Sequence, residues 1–384
     1  MSGGKKILIL SPQPWNHIYI SKHHYAIEFA RNNNVWFISA PEKSLPAREH
    51  IESVENTAVT LIRYNFRLND FFKFHIPGLY RRLLRKRLYG LIQKEIGPVD
   101  ICIDFGCYQL FDKLDFVEAG AKIFFPVDDH EYMEISKRGC DKVYSVSKNV
   151  LQKLAAGNIE GEFINHGIAA EFSKYGTEKL KNNQTDKPVI GNKVRIGYAG
   201  NLFIPFLDIN VFQKLISANG QVEFVFFGAA KCDNSIAEHA AWFKFLKESE
   251  NVIMKGVVSP AELVAEYDKL DGFILCYKPD YKNYHAENSH KVLEYMSTGK
   301  VIISTYLSLY ENSELLNMAA KNDNVALLDV FRKTIAEIDY YNSIDLQTKR
   351  IEFALNNSYA RHIEKIFSDL KFRKSPNFQI HTNK

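Results

Sequence analysis

The segment from His285 to Thr305, HAENSHKVLEYMSTGKVIIST, places charged side chains at the start of a predicted helix. Its ENSHKVLEYM part begins with residues that favour helix N-termini and becomes apolar within one helical turn. A helix N-terminus attracts anions, because its first backbone N–H groups are unpaired and its dipole is positive there. Lys291 stands in this first turn, where the dipole disfavours a cation. We therefore interpret Lys291 as a ligand for a phosphate or pyrophosphate.

Glu294 follows Lys291 by about one helical turn, within an otherwise apolar stretch that includes Val292. A carboxylate at this position can accept hydrogen bonds from two ribose hydroxyls. An intrahelical ion pair between Lys291 and Glu294, worth roughly 0.2–0.5 kcal/mol, explains the same two residues without any ligand. The two interpretations are equally well supported by composition alone.

Further candidates follow the predicted strands of the C-terminal half, because ligands of open parallel sheets bind beyond the carboxyl ends of the strands. Gly200 and Asn201 follow the strand RIGYA, Gly228 follows VEFVFF, and Tyr277 ends GFILCY. Glycine allows the backbone to approach a phosphate or a sugar closely. A tight strand-to-helix turn explains Gly200 equally well when that residue is taken alone.

Strand and helix patterns alternate along the whole chain. KKILILSP, SKHHYAIEFARNN and NVWFISAP form a β-α-β unit, and DICIDFG, KIFFPVDD, KVYSVS and EFINHG are further buried strands. Residues 174–193 are polar and contain Pro and Gly, and the alternation begins again at VRIGYAG. The sequence therefore predicts two α/β domains with doubly wound parallel sheets, over 1–185 and 190–356, followed by a last helix.

Length and composition favour a folded two-domain protein. The chain has 384 residues, of which 46% are hydrophobic and 24% are charged. Its five cysteines are scattered and lack the spacing of a zinc site or a disulfide framework, so we expect a reducing, cytoplasmic location and no metal. The N-terminus lacks the core of a signal peptide, and no stretch approaches the roughly 20 apolar residues of a spanning helix.

Residues 79–94 form a basic amphipathic helix in the prediction. Its apolar stripe comprises Leu79, Leu83, Leu84, Leu88, Leu91 and Ile92, with arginines beside and opposite it. Two interpretations are equally well supported. The helix can pack on the core as an ordinary surface helix, or it can make a peripheral contact with an anionic membrane at the inner face of the plasma membrane. Nucleic acid is not expected as a partner, since the net charge is only +4.

The run HKVLEYMSTGKVIIST resembles the donor-site signature of retaining GT-B glycosyltransferases, the "glycosyl transferases group 1" type. The matching positions are Lys291, Glu294, Tyr295, Gly299 and Lys300. RIGYAGNL with Asp208 downstream, FVFFG, NVIMKGVVSPAELVAEYDKLDGFILCY and DKVYSVSKNVLQKL followed by INHGIAAEF match in the same order. The resemblance spans most of the chain. It implies two Rossmann-like domains that face a cleft.

This resemblance implies a role for each domain. Residues 190–356 would bind the nucleotide sugar, and 1–185 would lie on the acceptor side, joined by a crossover helix over 357–374. Glu294 would hold the ribose and Lys291 the donor phosphate. The donor-binding residues would be Gly200, Asn201, Gly228, Tyr277, Glu287, Ser289, His290, Lys291, Val292 and Glu294. The expected co-substrate is a UDP- or GDP-sugar, with no permanently bound cofactor.

Departures from the family pattern keep alternatives open. Glu287 and Glu294 are separated by six residues, whereas many relatives have two glutamates separated by seven, and NLFIPFLD lacks the cation that often follows the glycine loop. The expected function is transfer of a hexose to a saccharide or lipid-linked saccharide in cell-surface polysaccharide synthesis. The alternatives are a nucleotide-sugar 2-epimerase of the same fold and a non-catalytic GT-B scaffold.

Candidates for the catalytic step lie in the N-terminal half. Asp128, Asp129 and His130 follow a predicted strand in PVDDHE, and an inverting transferase requires a general base on the acceptor side. A capping role in a turn explains either aspartate alone. His17 and His23 near the first loop can reach the same edge of the sheet. His285 and His290 flank the donor helix, whereas His166 is predicted to be structural.

Overall fold

The protein is described by a computed structural model. It describes residues 4–15, 19–46, 49–66, 68, 70–106, 113–127, 139–182, 193–228, 236–279 and 287–370. Two compact units divide the chain at Asn165/His166 and again at Ser358/Tyr359, so the last helix belongs to the first unit. Each unit is built on one sheet of mainly parallel strands.

The described residues of the first unit form a sheet of eight strands. These are β1 (Lys6–Leu10), β2 (Asn34–Ile38), β3 (His50–Ser53), β4 (Val59–Arg63), β5 (Val99–Asp104), β6 (Ala119–Phe124), β7 (Lys142–Ser145) and β8 (Glu162–Phe163). Their order across the sheet is β3-β4-β2-β1-β5-β6-β7-β8. Only the edge strand β3 runs antiparallel to its neighbour. The topology is that of a doubly wound sheet.

The second unit has a sheet of six parallel strands in its described residues. These are β9 (Val194–Ala199), β10 (Val222–Phe227), β11 (Val252–Gly256), β12 (Gly272–Leu275), β13 (Val301–Ser304) and β14 (Asn317–Met318). Their order is β11-β10-β9-β12-β13-β14. The strand order reverses at β9, so the crevice beyond the carboxyl ends of β9 and β12 is where a ligand is expected.

Helices connect the strands of both sheets. The first unit contains α1 (Ser21–Ala30), α2 (Asp70–His75), α3 (Pro77–Glu95) and α4 (Lys148–Ala156). The second contains α5 (Ala170–Lys181), α6 (Ile209–Ala218), α7 (Ala237–Glu248), α8 (Pro260–Tyr267), α9 (His290–Met296), α10 (Leu327–Ala336), α11 (Ile338–Tyr341) and α12 (Ile344–Asn356). Finally α13 (Tyr359–Asp369) packs against α1 in the first unit. In the described part of the chain, no helix has the length and apolarity needed to cross a membrane.

Strand alternation explains the two cores of the first unit. Ile7 and Ile9 of β1 pack with α1 and α13, whereas Leu8 and Leu10 point to the other face and pack with α3. This period of two is what a strand buried on both faces requires.

Helix α3 begins two residues before the predicted start, with Pro77 in its first turn, where proline is favoured.

Helix α5 lies in the second unit, so that unit begins at His166, earlier than the predicted boundary between 185 and 190. A Cβ atom on Gly176 would lie 3.0 Å from the Ser297 carbonyl oxygen, and Lys179 Nζ donates to the Thr298 carbonyl at 3.2 Å. The polar composition of 174–193 suggested a linker, but its first part is the polar face of this packed helix. Residues 183–192 lie outside the described residues.

Two buried cations hold the chain after α9. Lys300 Nζ donates to the carbonyls of Tyr267, Asp268 and Leu270, which end helix α8. Arg350 is fully buried and donates from Nη1 to the Gly299 carbonyl at 2.9 Å. Cations near helix C-termini pair favourably with the unpaired carbonyls there. The lysine of the STGK stretch is therefore part of the scaffold and does not face a ligand.

Replacing Arg350 with methionine is expected to destabilise the second unit. Arg350 also donates to the carbonyls of Leu315 at 3.0 Å and Tyr341 at 2.8 Å, so the substitution leaves three buried carbonyls without this donor. Hydrogen bonds to charged groups are worth about 2 kcal/mol each, and part of the loss is recovered by relaxation. We expect Arg350→Met to lower the free energy of unfolding by about 3 kcal/mol, measured by urea denaturation.

Arg332→Ala is the matched control, because Arg332 is exposed and pairs only with the exposed Asp329 within its own helix. Its unfolding midpoint should match that of the unmodified protein. An Arg350→Met protein as stable as this control would show that the buried guanidinium is dispensable.

Candidate functional site

Two glycines bring the ends of β9 and β10 into close contact. Gly200 has φ +145° and Gly228 has φ +151°, conformations that side chains disfavour. The Gly200 N–H donates to the Phe227 carbonyl at 2.8 Å, and the Gly228 N–H donates to the Gly256 carbonyl at 2.8 Å. A Cβ atom on Gly228 would lie 2.0 Å from the Gly200 carbonyl oxygen. Only glycine fits at this position, and the result is a surface of bare backbone.

Lys291 extends over this glycine surface. A Cβ atom on Gly200 would lie 2.5 Å from Lys291 Cε and 3.0 Å from its Nζ. The Nζ atom lies 5.8 Å from the ring centre of Tyr198 and 5.9 Å from that of Tyr277, and it is 3.4 Å from the Tyr277 hydroxyl. Among the described residues Lys291 makes no ion pair. Its charge is therefore available to an anion at the carboxyl edge of the sheet.

Tyr277, which follows β12, is fixed at both ends. Its backbone N–H donates to Thr305 Oγ1 at 2.9 Å, and its hydroxyl lies 3.4 Å from Ser289 Oγ, just before α9. The Asn324 side chain donates both to the Tyr277 carbonyl at 2.8 Å and to Asp208 Oδ2 at 2.7 Å. These contacts join the segments that follow β9, β12, β13 and β14, and they position the ring beside Lys291.

Tyr295 connects α9 to the end of β9. Its ring stacks on Phe273 at a centre-to-centre distance of 4.1 Å, and its hydroxyl accepts a hydrogen bond from the Ala199 N–H at 2.8 Å. Burial holds its pKa well above the usual range, so the hydroxyl stays neutral. The tyrosine of the motif therefore sets the position of Gly200 relative to Lys291.

Glu294 is half-buried on the same helix. Burial raises the pKa of its carboxyl to about 7, and the positive charge of Lys291 opposes this shift. Lys291 and Glu294, both well described, form no ion pair within 4.0 Å. The intrahelical pair considered from the sequence is not present. Both side chains are left for other partners.

The other predicted donor residues occupy varied positions. Asn201 Oδ1 accepts from the Phe203 N–H at 2.9 Å and so stabilises the turn after Gly200. The Val292 side chain is completely buried in the core, and its backbone N–H donates to the Ser289 carbonyl at 3.0 Å. Glu287 is also buried, and its carbonyl accepts from the Leu309 N–H. His290 is exposed, with its ring 6.1 Å from that of His166.

The predicted catalytic residues Asp128, Asp129 and His130 lie outside the described residues, as do His17 and His285. His23 is buried at the start of α1. Its Nδ1 accepts from the Ile20 N–H at 3.0 Å, and its Nε2 donates to the Pro14 carbonyl at 3.3 Å. Burial lowers the pKa of His23 to about 4, so it is a neutral group that caps α1.

Asp104 was missed by the sequence analysis. It is the last residue of β5 and lies opposite Leu10 of β1 in the register of the sheet. The strand order reverses between these two strands, since α1 packs on one face and α3 on the other. Its Oδ1 accepts from the Gly106 N–H at 2.8 Å, and burial raises its pKa to about 7. An acidic residue followed by glycine at the end of DICIDFG is the signal that marks it.

Among the described residues, no group of three or more His, Cys, Asp or Glu side chains is arranged so that it could hold a metal ion. Near the end of β9, the described residues provide the bare backbone of Gly200 and Gly228 and the ammonium group of Lys291, and Glu294 follows on the same helix as Lys291. This set suits a ligand with a phosphate and neighbouring hydroxyls.

Comparison with known proteins gives structural matches only. Neither a family model nor a curated protein matches the chain. An E. coli structure described as trehalose-6-phosphate bound with UDP-2-fluoro glucose matches with a TM-score of 0.67 and 10% identity, over 96% of this chain and 99% of that one. Sucrose-phosphate synthase from Thermosynechococcus elongatus matches with a TM-score of 0.66 and 11% identity, over 95% and 98%.

Anabaena HepE in complex with UDP and glucose matches with a TM-score of 0.64 and 12% identity, over 95% of this chain and 100% of that one. At such identities the likeness shows the fold. The chain has the GT-B fold, and the predicted pair of Rossmann-like domains with parallel sheets is confirmed.

Gly228→Ala is expected to damage the glycine surface. The new Cβ atom would meet the Gly200 carbonyl oxygen at 2.0 Å, in a backbone conformation that alanine disfavours. Such strain costs about 1–3 kcal/mol, so we expect a clear fall in the thermal unfolding midpoint. Gly220→Ala is the control, because nothing lies within 4 Å of a Cβ atom there. Equal midpoints for the two variants would contradict this account of the loop.

Proposed function

We propose that the protein is a glycosyltransferase that moves a hexose from a UDP-sugar to a saccharide or lipid-linked saccharide in cell-surface polysaccharide synthesis. The observation that carries this proposal is the ammonium group of Lys291, which lies over the backbone of Gly200, the glycine that Gly228 contacts, and makes no ion pair within the described chain. The second unit binds the donor, and the first unit binds the acceptor. The protein acts in the cytoplasm, at the inner face of the membrane.

The donor diphosphate would lie above the two glycines, within reach of Lys291. During transfer the bond from the anomeric carbon to the phosphate oxygen breaks, and the nucleoside diphosphate leaves with the electron pair. Lys291 stabilises the negative charge that develops on the leaving oxygen, which is where fixed charges are most effective. The acceptor hydroxyl forms the new bond to the anomeric carbon and gives its proton to the departing phosphate oxygen.

Glu294 would bind the ribose of the donor. It lies three residues after Lys291 and so stands on the same side of α9. Only the ionised carboxylate can accept freely through both oxygens, because protonation turns one of them into a hydrogen-bond donor. The choice of UDP is supported by the UDP and UDP-2-fluoro glucose in two of the similar structures.

The acceptor side of the proposal rests on the first unit. We retain Asp128, Asp129 and His130 as catalytic candidates and add Asp104, which stands where the strand order of that unit reverses. A retaining outcome is proposed from the sequence resemblance, and a retaining transferase needs no dedicated base. Asp104 would then orient the acceptor hydroxyl by a hydrogen bond.

Lys291→Ala is expected to weaken the binding of UDP about thirtyfold, because a charge-assisted hydrogen bond to phosphate is worth about 2 kcal/mol. Isothermal titration calorimetry measures the change directly. Lys214→Ala is the control, since Lys214 is an exposed lysine on α6 of the same unit. If both variants bind UDP as the unmodified protein does, Lys291 is not the phosphate ligand.

The affinity for UDP-glucose should depend on pH through Glu294. The diphosphate of UDP-glucose does not titrate near neutrality, whereas the pKa of Glu294 is raised to about 7. Below that pH the carboxyl is protonated and can no longer accept freely through both oxygens, so affinity should fall as the pH decreases, by at most about tenfold per pH unit. Glu294→Gln should remove this slope, and the exposed Glu238→Gln should keep it. A slope that persists in Glu294→Gln would assign the dependence to another group.

Product analysis distinguishes the proposed transferase from its rivals. We expect UDP release from UDP-glucose or a related UDP-sugar to rise strongly when a saccharide acceptor is added, and Lys291→Ala to abolish the rise. A changed sugar that appears without any acceptor would instead identify a 2-epimerase. Tight UDP binding with no turnover of any UDP-sugar would identify a non-catalytic subunit.

A further inference from the structure

Positive charge is concentrated in one segment of the first unit. Between residues 71 and 94 the sequence contains seven Lys and Arg and no Asp or Glu. The whole chain has a net charge of only +4, so the remainder of the chain carries a net negative charge. This segment comprises most of α2 and α3, and it is where an anionic surface would be attracted.

Large apolar side chains are exposed on the same two helices. Phe74 is 72% exposed and Phe71 is 54% exposed on α2. Ile76, Leu79 and Leu83 at the start of α3 are also exposed. An exposed apolar group of this size, bordered by cations, marks a surface that binds a partner.

The outward face of α3 combines both kinds of residue. Leu79, Arg82, Leu83 and Lys86 stand at positions i, i+3, i+4 and i+7, opposite the buried stripe of Tyr80, Leu84, Leu88 and Leu91. The sequence analysis assigned Leu79 and Leu83 to the apolar stripe of this helix, with packing on the core and contact with a membrane as equal alternatives. The structure buries Tyr80 and turns these two leucines to solvent.

Several basic residues of α3 are engaged within the first unit. Arg85 pairs with Asp115, Arg87 pairs with Glu49 at 2.6 Å, and Lys94 pairs with Glu95 at 2.5 Å, whereas Arg81 is half-buried. Arg82 and Lys86 are exposed and make no ion pair in the described chain. The cations available to a partner are therefore those that lie in line with Leu79 and Leu83.

We propose that Phe71, Phe74, Ile76, Leu79, Arg82, Leu83 and Lys86, here called the α2–α3 patch, bind an anionic lipid bilayer. The apolar side chains would enter the boundary between headgroups and acyl chains, while Arg82 and Lys86 contact anionic headgroups. A nucleic acid would satisfy the cations but leave Leu79 and Leu83 in water. A bilayer accounts for both, because charge and apolar side chains share one stripe.

This inference extends the proposed function, since a lipid-linked acceptor would be presented at the same surface. Its test requires neither donor nor acceptor. A failure of vesicle binding therefore does not imply a failure of the proposed sugar transfer, and the reverse also holds.

Flotation of the full chain with lipid vesicles tests the patch. We expect binding to vesicles of phosphatidylcholine with phosphatidylglycerol and little binding to phosphatidylcholine alone. Each cation near an anionic bilayer contributes about fivefold in affinity, so Arg82→Glu with Lys86→Glu should reduce binding more than tenfold. Phe74→Ser with Leu79→Ser and Leu83→Ser should reduce binding to the same vesicles at least tenfold, because the inserted side chains are lost.

Ile344→Ser with Tyr340→Ser is the matched control, because these side chains are equally exposed but lie in the second unit. It should bind vesicles like the unmodified protein. Each variant is accepted only if its thermal unfolding midpoint and its circular dichroism spectrum match those of the unmodified protein, which shows that it is folded.

Three results would overturn the proposal. The first is absence of binding to anionic vesicles by the unmodified protein. The second is unchanged vesicle binding by the serine variant, which would show that electrostatic attraction alone holds the protein on the vesicles. The third is competition by RNA, or a dimer in sedimentation that the patch variants dissolve, which would assign the surface to a nucleic acid or to a second copy of the chain.

Discussion

The close approach of two backbone turns, at Gly200 and Gly228, is the constraint on which the candidate site depends. No side chain fits between the ends of β9 and β10, because a Cβ atom on Gly228 would lie 2.0 Å from the Gly200 carbonyl oxygen. The absence of side chains leaves room for Lys291, whose Cε lies only 2.5 Å from the position that a Cβ atom of Gly200 would occupy. A cation above bare backbone is a simple way to bind a phosphate, since N–H groups and charge act together.

The surrounding contacts keep this arrangement rigid. Tyr295 binds the backbone of Ala199 and stacks on Phe273, so helix α9 cannot shift relative to β9 without losing both. Buried Lys300 and Arg350 hold the chain that follows the helix. A site of this kind needs fixed charges, because a charge that must reorganise during the reaction stabilises it less. The stability of the second unit and its binding of donor are therefore linked through α9.

Sequence patterns predicted the fold well because they are local. Alternation of apolar residues identified the strands, and the two β-α runs predicted two parallel sheets. The unit boundary was harder to place, because α5 has a polar face that resembles a linker and its packing on Ser297 and Thr298 is not visible locally. Likewise Tyr80, and not Leu79 or Leu83, is the residue that α3 buries first. Which side of an apolar stripe faces the core depends on the neighbouring strands.

The sequence by itself determined that Lys291 and Glu294 stand one helical turn apart after a strand, and that glycines follow β9 and β10, because these are matters of spacing along the chain. Only the tertiary structure decided which cations are available. Lys300 and Lys291 belong to the same motif, yet Lys300 is bound to three carbonyls and Lys291 makes no ion pair in the described chain. The tertiary structure also placed Asp104 at the point where the strand order of the first unit reverses. Such partners are distant in sequence, and burial and strand order arise only when the sheet is assembled.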